Sequence, residues 1–299
     1  MESRQSVRKK DLIQTLEHMK SQVIDPRAGI FGPGSMFWEI GKFSTAFLGG
    51  GRAALLQTAH PFVATGIKQH SRTLDDPMSR FRGTFSNVFT MVYGDLDKVM
   101  ESAVKVHHIH ARIQGEIDEE AGAFAKGSRY MANHIDAMIW VHATLWETSV
   151  KMYELIIGPL TRDEKERYYR ETKMFAYLFG IPEQALPKNW QDFIAYNEMM
   201  WNSDQLTVTD SAREISEFLF SFNPLLSPVL SRYKIITSML MPERLREQYR
   251  LPPATAANVA VYERYIGLIK KSYPYMPRAI RYLPPYVEAL RRLQGKHQP

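Results

Sequence analysis

GDLDKVMESAVKVHHIHARIQGEI, residues 94–117, puts three of the chain's nine histidines into one stretch with the periodicity of a helix. Asp95 is placed to cap it, since its carboxylate can accept a hydrogen bond from an amide of the first turn. Val99, Ala103, Val106, His110, Ile113 and Ile117 recur at spacings of three and four, which predicts a helix over 95–117 with one apolar face. On that reading His110 points at a core. His108 shares a solvated face with Glu101, Lys105 and Arg112, and His107 lies with Met100, Val104 and Ala111 on the flank of the apolar stripe.

An imidazole on an apolar stripe costs free energy unless its nitrogens find partners. A backbone carbonyl would make His110 a satisfied core histidine. A metal or haem iron would make it a ligand, because a neutral imidazole in an apolar wall is what that chemistry needs. The spacing alone leaves both readings open.

Outward from this stretch the chain reads as helix after helix. A second inward histidine lies in NHIDAMIWVHATLWETSVKMYELII, residues 133–157, where Ile135, Met138, Ile139, His142, Leu145 and Ser149 keep the same spacing. Thr161 opens TRDE, a capping box with Glu164, and Gly180 and Pro182 close the helix that follows. Upstream, Pro61 after His60 starts a helix reaching His70, and Asp76-Pro77 starts another on which Arg80 and Thr84 sit one turn apart. Gly49-Gly50-Gly51 reads as a tight turn that lets two helices, or a helix and a flat cofactor, approach closely. An anion-binding loop would need a preceding strand and a phosphate-loop lysine, which are missing.

Residues 9–24, 190–201, 210–220, 226–239 and 242–249 complete the predicted helices, and alternating strand patterns are lacking. The expected fold class is all-α. A single helical domain over 35–250 carries an N-terminal helical extension, 1–34, and a basic C-terminal helical extension, 251–299, packed on the same domain.

Composition excludes several kinds of chemistry. The 299 residues include no cysteine, which removes disulfides, thiolate zinc sites, iron–sulfur clusters and cysteine nucleophiles. Hydrophobic residues at 44 % against 23 % charged residues describe a globular protein. The net charge of +6 gathers at Arg4, Arg8, Lys9 and Lys10 and again from Arg264 onward. Neither run is interleaved with stacking aromatics in a binding motif, so no nucleic-acid partner is expected. YPYMPRAIRYLPPYVEALRRLQGKH, residues 273–297, could rest on an anionic membrane surface. With no apolar leader and no run of about 18–20 apolar residues, a cytoplasmic location with peripheral membrane contact is the expectation.

Motif logic narrows the chemistry further. Glu-x-x-His, the mark of carboxylate-bridged di-iron bundles, does not occur, nor does His-Glu-x-x-His, nor a G-x-S-x-G turn. What remains is an apolar helical interior, inward imidazoles on separate helices, and an arginine and a threonine on a neighbouring face. That inventory suits haem b, with a histidine on the iron, an arginine for a propionate or a developing oxygen charge, and bulky apolar walls.

The runs GGGRAALLQTAHPFVATGIKQHSR, DPMSRFRGTF with VYGD, VHHIHARIQG, WVHATLWETSVKMYE and GPLTRDEKERYYRE, in that order, resemble the oxygenase superfamily that includes latex-clearing protein (rubber oxygenase) and the mycophenolate-pathway oxygenase MpaB. The resemblance covers roughly residues 35–250. It implies a globin-related helical fold binding one heme b, and an oxygenase that uses dioxygen on a small hydrophobic, lipid or isoprenoid-like substrate. Non-catalytic binding of haem or a hydrophobic ligand is the alternative. Arg80 and Thr84 look like the family's catalytic arginine and threonine, four residues apart. His110, in His110-Ala-Arg-Ile-Gln-Gly, falls where the proximal iron ligand belongs. The family's lysine before the threonine is Gly83 here, and PFVATG holds no counterpart of its distal glutamate. Arg52 and His70 are candidates for the propionates or the distal pocket. His60 and His142 are candidates for positions behind the ligand, and Arg246, in PERLREQY, resembles a late arginine of the family.

Overall fold

The structure, a computed structural model, describes residues 6–70 and 77–295, with the helix alone given at 77–82 and 84. Among the described residues the helices are α1 (Lys9–Gln22), α2 (Met36–Gly41), α3 (Gly50–Thr58), α4 (Pro61–His70), α5 (Pro77–Tyr93), α6 (Leu96–His110), α7 (Ile135–Ile156) and α8 (Arg162–Tyr177). They continue as α9 (Trp190–Asn202), α10 (Asp210–Ser221), α11 (Ser227–Leu240), α12 (Glu243–Gln248), α13 (Ala256–Ser272), α14 (Arg278–Arg281) and α15 (Pro284–Leu293). The fold is all-α apart from one two-stranded antiparallel ribbon between α6 and α7, in which β1 (Gln114–Glu116) pairs with β2 (Arg129–Met131).

Local signals place the helix starts. Asp95 accepts from the amide of Lys98 and Ser35 from that of Trp38. Thr161 and Glu164 form the reciprocal capping box. At the end of α8, Gly180 takes φ +74°, and a Cβ there would come within 2.5 Å of Val7 Cγ1.

The helix expected over 95–117 is shorter in the structure. α6 stops at His110, Ala111 caps it, and the chain turns into β1. The amide of Ala132 donates to the Ile113 carbonyl and that of Ile117 to Ser128, so strand pairing satisfies backbone groups that a longer helix would have satisfied internally. Ile117 still reaches an apolar cluster, with Phe62 and Tyr130. A spacing of four, as between Ile113 and Ile117, returns to the same side in a strand as well as in a helix, which is why periodicity misread this segment.

The core is built around α7. Trp140, Ala143, Trp146 and Val150 pack with Phe37 and Trp38 of α2, Leu55 and Leu56 of α3, and Tyr168 and Phe175 of α8. Trp140 Nε1 donates to the Leu56 carbonyl at 2.7 Å. The glycine cluster serves this packing. Gly50 and Gly51 are the first residues of α3, where a turn was expected. A Cβ on Gly49 would lie 2.5 Å from Thr148 Cγ2 of α7, and one on Gly51 would lie 2.6 Å from Thr237 Oγ1 of α11. The close approach is therefore helix to helix.

The terminal segments lie against the same body. α1 packs on α6 and α8, and α15 packs on α5. Arg292 donates to the carbonyls of Arg27 and Tyr93. Ile266 of α13 joins Met152, Ile156, Ile236 and Leu240 in a second apolar cluster. No helix among the described residues is long and apolar enough to cross a membrane.

Candidate functional site

His110 is the last residue of α6. Its side chain is half-buried, and Nδ1 is enclosed without a hydrogen-bond partner among the described residues. Burial, helped by nearby His107, pushes its pKa down to about 4. The ring is therefore neutral at physiological pH and carries a lone pair. Phe179, just past α8, stands 6.3 Å away, centroid to centroid.

His142, on α7, is buried as its spacing predicts, and burial pushes its pKa down to about 3. Trp146 Nε1 donates to His142 Nδ1 at 3.1 Å. Nδ1 must then be the acceptor, so the proton of the neutral ring sits on Nε2. That Nε2 is also enclosed and meets no acceptor among the described residues. The ring stacks on Phe175, at 6.4 Å and 27°, and Phe175 lies 5.3 Å from Phe179. One aromatic wall thus joins two imidazoles of different capability: His110 offers a lone pair, and His142 offers an N–H.

The ranking of the three α6 histidines changes. His107, expected on the flank, is the most enclosed, with Nδ1 buried and without a partner among the described residues, because α1 packs across that side of α6. His110 comes out half-buried because the helix ends there. His108 is exposed as expected. It lines an open groove of about 610 Å³ with Met100, Val104 and Ile109, rimmed by Glu101, Lys105 and Arg112.

The other candidates lie in separate surroundings. His60 is buried against Phe62 and Phe124, accepts from the Phe62 amide at 3.3 Å, and has its pKa pushed down to about 3 by burial and then by His134. His70 is exposed, with Nε2 3.0 Å from the Gln114 carbonyl, and so holds the start of β1. Arg52 is almost fully enclosed. Its Nη1 pairs with Glu147 and donates to Thr148 Oγ1, its Nε donates to the Leu240 carbonyl, and its guanidinium lies 5.6 Å from the Trp201 ring centre. Its role in the structure is to tie α3 to α7 and α11. Arg246 pairs with Glu243 at 3.3 Å on α12, beside Leu251 and Pro253. Arg80 and Thr84 fall on α5, and their side chains lie outside the described residues. His134, with Nδ1 buried beside the Phe62 ring and without a partner among the described residues, was missed in the sequence because it precedes α7 and belongs to no periodic face.

Among the described residues no three histidine, aspartate or glutamate side chains converge on a point that could hold a metal ion. A metal at His110 would have to bring most of its own ligands.

A family model described as "ER-bound oxygenase mpaB/B'/Rubber oxygenase, catalytic domain" matches residues 37–271. Searches of curated proteins and of solved structures gave no match. The matched segment begins in α2, ends in α13, and includes α6, α7 and α8, which carry the two imidazoles and their aromatic wall. The chain belongs to the mpaB/rubber-oxygenase family of oxygenase catalytic domains.

Proposed function

We propose that this chain is a haem b oxygenase acting with dioxygen on a small hydrophobic substrate, and that His110 is the residue that would hold the haem iron. The observation that carries the reading is the buried Nδ1 of His110, without a partner among the described residues, in a ring kept neutral by burial. The residues fit haem in donor chemistry. An iron already held by a porphyrin needs one neutral imidazole and an apolar wall, not a converging set of carboxylates. When bound, the haem would supply the iron that binds and activates dioxygen.

The chain's own residues have separable tasks in this reading. His110 holds its lone pair free of protons down to about pH 4. Phe179, 6.3 Å from its ring, and Phe175 behind it give the imidazole apolar neighbours instead of water. His142, its tautomer set by Trp146, keeps an N–H that meets no acceptor among the described residues, ready for an oxygen-bearing ligand. Arg80 and Thr84, one turn apart on α5, are assigned the distal or propionate side from their match to the family pattern. Arg52 and Glu147 brace the helices and leave ligand contacts to others.

The test is the visible spectrum of the purified chain, oxidised and reduced, after reconstitution with haemin. A Soret band that is lost or shifted in His110→Ala and unchanged in His108→Ala supports the assignment. A chain that stays colourless, or a spectrum indifferent to His110→Ala, rejects it. Oxygen uptake with isoprenoid and lipid substrates then separates turnover from binding alone, the alternative that Gly83 and the carboxylate-free PFVATG would favour.

A further inference from the structure

We propose that the turn between α10 and α11 is a docking tip that inserts Leu225, Leu226 and Val229 into an anionic phospholipid surface. The segment SFNPLLSPVLSR, residues 221–232, contains the densest run of exposed apolar side chains among the described residues. Leu225 is 90 % exposed, Val229 64 %, Leu226 43 % and Phe222 40 %. Scattered exposed apolar residues are ordinary on a protein surface, but four within eight positions make a patch that wants a partner.

The turn is built to hold these side chains outward. The Asn223 side chain accepts from the Leu225 amide at 3.0 Å, and its carbonyl accepts from the Leu226 amide at 3.0 Å. Pro224 and Pro228 stiffen the backbone on either side. Phe220 and Leu230 are buried and anchor the two ends. The leucines therefore cannot fold back onto the core, and they crown a protruding turn instead of lining a groove. A protruding apolar tip matches the deformable interior of a bilayer better than the concave pocket of a protein partner.

Charge supports the same partner. Arg232 and Lys234 lie near the middle of α11, where Lys234 Nζ stands 5.8 Å from the Phe220 ring centre and Arg232 donates to the Pro228 carbonyl. Ser238 Oγ donates to the Pro252 carbonyl, so the chain returns beside the far end of α11 before α13 packs along it. α13 thereby runs back toward the tip and carries Leu268, 55 % exposed, with Lys270 and Lys271 in its last turn. Basic residues around an apolar insertion point are the arrangement that anionic lipid headgroups attract. The basic tail, to which the sequence points, is partly tied to the body, since Tyr286 meets Trp38 at 5.7 Å and Tyr282 meets Phe43 at 5.6 Å, while Tyr275 and Ile280 stay exposed.

This inference does not rest on haem binding. The experiment is vesicle flotation of the full chain with phosphatidylcholine alone and with about 30 % phosphatidylserine added. The native chain is expected to float with the anionic vesicles and several-fold less with the neutral ones. Leu225→Ser/Leu226→Ser/Val229→Ser is expected to lower partition at least about tenfold, with unchanged circular dichroism because these side chains are exposed. Since the chain has no cysteine, Leu225→Cys carrying an environment-sensitive dye gives an independent readout, a blue shift on vesicle addition. The proposal is overturned if the native chain ignores both vesicles, if the triple variant floats equally well, or if the tip instead joins two copies of the chain and the substitutions only abolish that dimer.

Discussion

Trp146 holds His142 in a single tautomer: its indole N–H reaches Nδ1 at 3.1 Å from one turn further along α7. Long-range nitrogen–proton correlation spectra of the native protein should therefore show His142 protonated at Nε2. In Trp146→Phe the donor is gone, and the Nδ1–H form should become populated. An Nδ1–H tautomer in the native chain would remove the basis for treating His142 as a donor.

Acid should weaken the fold through its buried imidazoles. Burial pushes His60 and His142 down to about 3 and His110 to about 4, from an ordinary value of 6.5. A lowered folded pKa means that the unfolded chain binds more protons between those values and 6.5, so stability rises with pH across that window. The contribution is complete above 6.5 and is lost as pH falls toward the folded values. Urea unfolding between pH 7.5 and pH 5 should show it. His142→Phe should lower the slope by up to about 1.4 kcal/mol per pH unit toward pH 5 and leave it unchanged above pH 7, and an unchanged slope at pH 5 would show that the ring is not held neutral.

Arg52 and Glu147 form a buried pair whose halves are unequal to the whole. Arg52→Met strands the Glu147 carboxylate in the core and should cost about 3–5 kcal/mol. Arg52→Met/Glu147→Leu removes both charges and should be more stable than the single variant. Chemical denaturation of the four members of this cycle decides the matter, and strictly additive effects would contradict direct pairing.

Gly49 is a packing glycine, since an added Cβ would meet Thr148 Cγ2 at 2.5 Å and Met152 Cγ at 2.7 Å. Gly49→Ala should destabilise the chain by about 1–3 kcal/mol. Adding Met152→Ala should give part of that back, because the flexible thioether is one of the two obstacles. Thermal melts of both variants test this, and a neutral Gly49→Ala would show that α7 can shift.

How far the sequence could be read depended on whether each feature was local. The capping residues Asp95, Ser35 and Thr161 act on amides within three positions, and each marks its helix start in the structure. His142 lies mid-helix, where a period of 3.6 is unambiguous, and it is buried. The end of α6 depended on partners far along the chain: Gln114 pairs with Met131, and no local signal announces that pairing. Arg52 shows the same limit. Its charge suggested a ligand contact, while Glu147 lies 95 residues away in sequence and nothing near Arg52 foretells it.

The place where α6 stops has an electronic consequence. Peptide dipoles along a helix leave a fraction of negative charge at its carboxyl end, and His110 occupies that end. Burial keeps the ring neutral, with one nitrogen unprotonated, while the helix terminus enriches that nitrogen's lone pair. A histidine in mid-helix would have the first effect without the second. Ending the helix at this residue thus makes its imidazole a stronger electron-pair donor toward any cation it meets.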